Sequence, residues 1–473
     1  MKHFAHPDLL GIGFLLIFIP LFFYHLGSYS LVDFDEAWFA EVARNIYLHQ
    51  NPLVLTFNND SFIEHPPFGF ILMALSSFFF GETDFAARFF SALLGFLSVI
   101  VLYFIGKQLF NRVIGFCSSL FLVSCVWFIF RARTGSLDTI FLFFYLLTFY
   151  SALQLKKQKS AIYLVAVFAA LLFLTKTVIG LTIFVPIGIY FVSEKIRLSK
   201  KVVILSAGIF LMLILPWLVA NYLKTGIFFL QHLYLVGLRP FGRITPNYRD
   251  LGASLTFQYL HFGIRKWFYP TVIACGGGLI YLRYYRQLLP LYGLILLLLY
   301  GFLTNTKTEI WHLIPLYPFL GILTAFFVYQ ICFHMWGVIF RSPLRKLATT
   351  FTVILIFIVA TLGQIYIFRN EVRLFDHGIS GLAYTAQAAS HHREPLYLYA
   401  DYFLPSAVYY SKKPVRLVAG ERFPINTLPG MVAAGPKPFL LIGEKWRFEV
   451  DHIDPTQYEL LTDYQEYRLI RVR

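Results

Sequence analysis

Charge is what this chain is short of. Only 14% of its 473 residues are charged, and 25 acids stand against 40 Lys plus Arg. A soluble protein has a polar surface to build, which 58% hydrophobic residues do not allow. Cysteine is scarce as well. Cys117, Cys125, Cys275 and Cys332 all fall inside or at the ends of apolar runs, without metal-ligand spacing, so no disulfide framework is implied. There is no His-Glu-x-x-His signature and no calcium loop. No internal repeat or low-complexity linker stands out. A single Lys precedes the first apolar run and no Ala-x-Ala cleavage signal follows, so that run reads as a retained anchor. The net charge of +15 does not point to nucleic acid, because the basic residues are scattered as short clusters between apolar runs.

Long apolar runs are what is there. They lie near 9–27, 85–106, 113–130, 138–155, 160–175, 177–193, 201–223, 267–283, 288–303, 312–333 and 348–368. Most approach the length a helix needs to cross the hydrocarbon core. They predict a polytopic α-helical membrane protein with about 11 transmembrane helices. Its 53 Phe and 30 Tyr suit lipid-facing helices and aromatic belts. The stretch 66–80 starts with two prolines and is short. It is expected as an interfacial or re-entrant helix, because counting it as a span would scramble the charge pattern. Without it, one face collects Lys107 and Arg112, then Lys156, Lys157 and Lys159, then Lys195, Arg197, Lys200 and Lys201, then Arg283 and Arg286, then Arg341, Arg345 and Lys346. That is the positive-inside pattern, with the N-terminus inside and the C-terminus outside.

The expected outer side holds the acidic loop, the turn RARTGSLD from Arg131 to Asp138, Lys176, a long basic loop and TNTKTEIWH. The division expected is a membrane domain over 1–368 with outer loops 28–84 and 224–266, then a C-terminal mixed α/β domain over 369–473 outside the membrane. The loop 224–266, with Gly237, Gly242 and Gly263, is the expected mobile lid. Functional charge thus gathers on one face. A transporter or flippase, the alternative kept, concentrates it near the midplane on broken helices.

Asp35 and Glu36 open a segment with amphipathic spacing, Ala37, Phe39, Ala40, Ala43 and Ile46. Asp33 or Asp35 can cap its start, and Glu41 can pair with Arg44 at three apart. An acid there can simply face solvent, and Asp138 can simply favour a helix start. Two carboxylates and several cations on one face also suit transfer to a nucleophile with a phosphate leaving group. A carboxylate takes the acceptor proton, and Lys or Arg holds the phosphate oxygens.

DEAWFAEVARNI, from Asp35 to Ile46, resembles the D-E-x-x-Y-A-E-x-x-R pattern of the dolichyl-phosphate-mannose and aminoarabinose transferase superfamily, which are integral-membrane glycosyltransferases of the GT-C type. FIEHPPFGFILMAL resembles the family's E-K-P-P segment, and ETDFAARFFSALLGFLSVIVLYFIGKQLFNRVIG its second-span region. RARTGSLDTIFLFFYLLTFYSAL, FLTKTVIGL, LPWLVANYLKTGIFFLQHLYLVGLRPFG and TNTKTEIWHLIPLYPFLGILTA are similar to further blocks in the same order. The resemblance covers roughly residues 1–330.

It implies a sugar donor linked to polyprenyl phosphate and a hydroxyl acceptor on a lipid, an envelope glycan or a protein, on the outer face of a bacterial plasma membrane. It places the catalytic acid on Asp35 and a second acid on Asp138. Lys176 and Lys307 are the implied donor-phosphate contacts, with Arg131, Arg133 and His65 as further candidates and Glu36, Glu64 and His312 in support. His65 stands where relatives often carry Lys, and Glu309 to His312 depart from the family's last block. A single displacement at the anomeric carbon inverts its configuration. No cofactor is required by this chemistry. A divalent metal has only weak candidate ligands in Asp35 and Asp138.

Overall fold

The structure is a computed structural model that describes residues 6–33, 35–238, 246–304, 309–373, 378–418, 437–450 and 455–473. Each of the eleven predicted apolar stretches is helical over most of its described residues, some in two pieces. Among the described residues, five helices are long and apolar enough to cross a membrane: Asp84–Leu109, Leu137–Gln154, Lys200–Thr225, Ile310–Ile339 and Leu344–Glu371. The pair Arg112–Val123 and Val126–Ala132 makes a sixth if it is one span. The helix at 66–80 runs Phe68–Phe80, 13 residues, or about 20 Å, which falls short of the hydrocarbon core. The described part of the expected loop 224–266 is mostly helical, with a helix at Pro246–Ile264. The lid expected there includes 239–245, which lie outside the described residues.

The chain forms two compact units. The first holds 1–24, 63–69 and 90–373, and the second 25–62, 70–89 and 374–473. The second therefore takes in much of the acidic loop as well as the C-terminal segment.

Within the first unit, the apolar window of Leu137–Gln154 is 78% buried and that of Lys200–Thr225 only 17%. The former is a central helix, and the latter shows most of its apolar surface outward, as a lipid-facing helix does. Close helix contacts use small residues. A Cβ on Gly115 would lie 2.3 Å from the Tyr103 carbonyl oxygen, so only glycine fits. The helix pair at 112–132 bends by 71°. A break in an apolar layer frees backbone groups that water cannot reach. Here Gln364 donates to the Ser124 carbonyl at 2.9 Å and Trp267 Nε1 to the Ser124 hydroxyl at 2.8 Å.

The second unit contains two sheets among its described residues. Strands β1 (Thr56–Phe57) and β2 (Asp60–Ser61) form a small hairpin. Asn58 and Asn59 take its left-handed turn positions, φ 51° and 69°, which asparagine tolerates. The larger sheet has β3 (Leu396–Tyr399), β4 (Val415–Leu417), β5 (Phe439–Glu444), β6 (Tyr458–Tyr464) and β7 (Tyr467–Val472), in the order β4-β3-β5-β7-β6. β3 pairs in parallel with β4 and β5, and β7 is antiparallel to β5 and β6.

β5 shows why the sheet is central to this unit. Leu440 and Ile442 pack on one side with Leu382, Ala386, Leu398 and Leu469. Phe439 and Leu441 pack on the other with Tyr397, Phe448 and Ile470. Alternate residues of a strand point to opposite faces, so a continuous apolar run marks a strand covered on both. Between β3 and β4 the chain forms a helix at Pro405–Ser411. Pro405 at its first turn has a φ already suited to that position.

Candidate active site

The first unit builds its charged site from the turn RARTGSLD. Ser136 and Thr134 hydroxyls donate to the Arg131 carbonyl at 3.0 and 3.2 Å. Ser91 clamps the turn from the neighbouring helix. Its hydroxyl donates to the Ser136 carbonyl at 2.8 Å and accepts from the Ser136 N–H at 3.1 Å, while Thr139 donates to the Ser91 carbonyl at 2.9 Å. Leu137–Gln154 starts there, so Asp138 sits in a first helical turn where the dipole favours a negative charge.

Asp138 is buried and paired twice. Arg131 Nε donates to Oδ2 at 2.6 Å, with Nη2 also at 2.6 Å. Lys176 Nζ donates to Oδ1 at 2.5 Å. Arg131 also lies over the Trp311 ring, 4.8 Å from its centre, a cation–π contact. One carboxylate thus faces two cations, and the triad carries one positive charge in excess. An ammonium has three N–H donors. Lys176 uses one on Asp138, and the other two meet no protein acceptor among the described residues.

Three histidines surround these groups. Burial, then the charge of Lys176, lowers His65 from its usual value to about 3, so its ring is neutral. His65 is therefore not a fixed cation in place of a lysine. The Glu309 backbone N–H donates to His312 Nδ1 at 3.1 Å. That nitrogen must be unprotonated, which makes His312 neutral with its hydrogen on Nε2. His312 is within electrostatic reach of Lys176, Asp138 and Arg131. His232 joins two segments. Its Nδ1 donates to the Ile63 carbonyl at 2.8 Å and its Nε2 accepts from Thr177 at 2.9 Å. Burial lowers its pKa as well. It ties the chain two residues before His65 to the residue after Lys176. Phe68 N–H adds a bond to the Leu174 carbonyl at 2.9 Å.

The second unit holds the other acids. Asp35 begins the helix Asp35–His49 and is half-buried. Glu36 is buried and takes Arg88 Nε on Oε1 at 2.7 Å and Nη2 on Oε2 at 3.0 Å. Arg88 gives its remaining hydrogens to the carbonyls of Leu26, Tyr29 and Ser30, at 2.9, 2.8 and 3.1 Å. The Val32 N–H adds a bond to Glu36 at 2.8 Å.

The C-terminal segment grips the same region. Asp33 accepts from the Ser406 N–H at 3.1 Å and from its hydroxyl, so it caps the helix Pro405–Ser411 and not its own. Burial raises its pKa, against the Ser406 bonds. Tyr410 donates to Asp84 at 2.9 Å and accepts from the Leu31 N–H at 2.6 Å. Asn58 makes two bonds to the Val415 backbone, at 2.9 and 2.8 Å. Glu41 and Arg44 pair at 2.6 Å, as their spacing predicts.

Of the expected site residues, the structure brings together Asp138, Arg131, Lys176, His65 and His312. Both oxygens of Asp138, expected as a second catalytic acid, already accept from cations. Arg133 donates to the Leu21 carbonyl at 3.2 Å, at the end of the first apolar run. Glu64 is half-buried next to His65. Lys307 lies outside the described residues. Among the described residues, no group of three or more His, Cys, Asp or Glu is placed to hold a metal ion.

Sequence reasoning passed over Arg88, Trp311 as a partner of Arg131, and the linking role of His232. Arg88 had a signal. It is a lone arginine within a membrane-length apolar run, where a charge requires a partner.

Residues 64–219 match the family described as dolichyl-phosphate-mannose-protein mannosyltransferase. That stretch contains His65, Arg88, Arg131, Asp138 and Lys176 but not Asp35. The fold is similar to that of ArnT from Cupriavidus metallidurans bound to undecaprenyl phosphate. The TM-score is 0.72 at 15% identity, over 98% of this chain and 97% of that one. An uncharacterized protein of Aquifex aeolicus (strain VF5) is 26% identical over 328 residues, 67% of this chain and 64% of the relative. The undecaprenyl phosphate-alpha-4-amino-4-deoxy-L-arabinose arabinosyl transferase 2 of Pseudomonas fluorescens (strain Pf0-1) is 34% identical over 111 residues, 24% of this chain and 19% of the relative. The chain thus spans less than two thirds of the length of either relative. The chain is similar in overall fold to ArnT, and over part of its length similar in sequence to the dolichyl-phosphate-mannose-protein mannosyltransferase family and to an arabinosyl transferase.

Proposed function

We propose that this protein is an inverting glycosyltransferase that moves a sugar from a polyprenyl-phosphate donor to an acceptor hydroxyl. The observation that carries the reading is the Asp138–Arg131–Lys176 triad, in which two cations meet on one buried carboxylate. A phosphate diester brings a negative charge to this cluster and acceptors for the two Lys176 hydrogens that meet none among the described residues. The neutral rings of His65 and His312 suit such a site, since an Nε2–H donates to a phosphate oxygen without adding repulsion to the empty cluster. The undecaprenyl phosphate bound by ArnT supports a lipid-linked phosphate as the donor's anchor.

In this reading Asp35 takes the acceptor proton as the acceptor oxygen bonds to the anomeric carbon. The bond from that carbon to the phosphate oxygen breaks, and the phosphate leaves with the electron pair. The role of Asp35 comes from the resemblance. Asp138, expected as a second acid, acts in this reading as a positioning acid. It fixes Arg131 and Lys176 so that their charge is already in place when the phosphate leaves, which is where preorganised electrostatics lower a barrier. Glu36 and Arg88 set the path of the chain into Asp35. Lys307 stays a donor-phosphate candidate on the resemblance.

We place the protein in a bacterial plasma membrane with about 11 spans, the N-terminus inside and the site and C-terminal segment outside. The acceptor is a lipid, an envelope glycan or a protein. The fold and the matched relatives give the transporter reading no support.

The test is transfer from a panel of radiolabelled polyprenyl-phosphate sugars in membranes holding the wild type or Asp35→Asn. Labelled product from the wild type names the sugar. A base contributes about 100- to 10,000-fold, so Asp35→Asn should lose at least that lower figure while still binding donor. Equal turnover by both proteins removes Asp35 from the chemistry. No turnover and no donor binding by folded wild type overturns the reading.

A further inference from the structure

We propose that a second anion site, separate from the Asp138 triad, takes the phosphate group of a membrane phospholipid. It lies at the other end of the Leu137–Gln154 helix. Asp138 is in the first turn of that helix and Gln154 is its last residue, about 24 Å further along at the usual rise per residue.

A cavity of about 330 Å³ opens beside Gln154, lined by Lys107, Gln108, Lys156, Lys157 and Gln287 among others. That is within the size range of small-ligand pockets. Its walls come from four connectors that the charge pattern puts on one face, near 107–109, 153–157, 190–194 and 287. The basic connectors therefore meet around a single hollow.

The balance of charge there favours an anion. Three lysines line the cavity against one acid, Glu194, which Lys156 already pairs at 2.6 Å. Lys107 pairs with Asp8 at 2.7 Å, but Arg112 shares that carboxylate at 3.1 Å. The amides are held in order. Gln154 donates to Gln108 at 2.5 Å, and Gln108 donates to the Leu153 carbonyl at 2.8 Å. Each amide nitrogen keeps a second hydrogen that suits a phosphate oxygen.

Two features favour a lipid over a soluble anion. The cavity lies at the ends of two membrane-length helices, Asp84–Leu109 and Leu137–Gln154, and basic pockets between the ends of such helices bind lipid phosphates. Phe104 and Tyr150 also line it, and they give a glycerol backbone an apolar wall. The site rests on no part of the donor chemistry.

The full chain should be reconstituted in nanodiscs of mixed phosphatidylcholine and phosphatidylglycerol, and the retained lipid read by native mass spectrometry. Wild type should retain phosphatidylglycerol in preference to phosphatidylcholine. Lys156→Ala/Lys157→Ala should weaken that retention about tenfold, from about 1 kcal/mol per lost basic contact less what neighbours recover. Lys159→Ala is the control, with the same charge on the same connector but outside the cavity lining. Equal loss in the control reduces the effect to general surface charge and overturns the site. So does unchanged retention in the double variant, or retention of both lipids alike by the wild type. Inorganic phosphate bound by delipidated protein, with no lipid preference, reassigns the cavity to a soluble anion and overturns the lipid assignment.

Discussion

Arg88 and Arg131 each bind a buried carboxylate, but in different surroundings. Arg88 is fully enclosed and its five N–H donors meet five acceptors, two on Glu36 and three backbone carbonyls. One acid balances one base. Arg131 shares Asp138 with Lys176, so two bases meet one acid. The first network is complete without a ligand and holds chain. The second sets two cations on one carboxylate, an arrangement that suits an incoming anion. Counting charges and donors separates a structural ion pair from a binding site where burial alone does not, since Glu36 and Asp138 are about equally buried, 3% and 4% exposed.

The largest effect should come from breaking the complete network. Arg88→Met leaves Glu36 buried without its charge partner. Removing one member of such a pair costs about 3–5 kcal/mol, and the cost should appear as a lower Tm of the detergent-solubilised protein. Glu36→Gln/Arg88→Met should recover much of that loss, because no uncompensated charge remains. A double variant as unstable as the sum of the two single ones would show that the pair is not coupled. Activity should fall with the fold in Arg88→Met, at every donor concentration.

Lys176→Met should behave in the opposite way. It removes the excess charge and leaves Asp138 paired with Arg131. Stability should hold within about 1 kcal/mol, while donor affinity drops about 10- to 100-fold for a lost hydrogen bond to a charged group. A collapse in Tm with unchanged donor affinity would make the triad a structural network like the first, and would remove the observation on which the proposed function stands.

These two networks were not equally legible in the sequence. Asp138, Arg131 and Lys176 stood in short polar breaks between apolar runs, where charge is conspicuous, and motif order tied them together. Arg88 was inside an apolar run and its acceptors are mostly carbonyls, which no residue letter reveals. The helical stretches were readable because apolar length is a local property. The bend at Ser124 was not, since it depends on Gln364 and Trp267, far along the chain. The mixed α/β character of the C-terminal segment was readable, but not its grip on the acidic loop. Asp33 looked like a cap for its own helix and instead accepts from Ser406. Such pairings depend on tertiary proximity and carry no spacing signal.

His65→Lys sharpens the comparison by a smaller amount. It restores the charge that relatives often have at this place, and raises the imbalance of the open cluster. Without donor the variant should be less stable, because a second ammonium is near Lys176. With donor it should bind several-fold more tightly, as one added contact at a partly exposed group gives about 1 kcal/mol. Calorimetric donor affinity and Tm, with and without donor, measure both halves. Tighter binding without any loss in apo stability would mean the new charge is solvated away from the cluster.

The smallest effect is the pH dependence of His65 itself. Its folded pKa is lowered to about 3 by burial and by Lys176, with His232 and His312 adding to the repulsion and Asp138 opposing it. The unfolded ring titrates near the usual value of about 6.5. Above that pH both states are neutral and the residue adds no slope. Below it the unfolded chain takes up a proton that the folded chain refuses, so stability falls as the pH drops from about 6.5 towards 3. His232, also lowered by burial, acts in the same direction, so His65→Gln should reduce the acid-side loss without abolishing it. Donor binding should show the reverse slope. A phosphate diester stays singly charged through this window, so any change comes from the protein. Its negative charge raises the His65 pKa, and binding then draws a proton in, making affinity rise as the pH is lowered. The Arg88 network faces no such histidine among its described contacts, and Glu36→Gln/Arg88→Met should leave that slope unchanged. Identical slopes in wild type and His65→Gln would place the ring outside the reach of the phosphate.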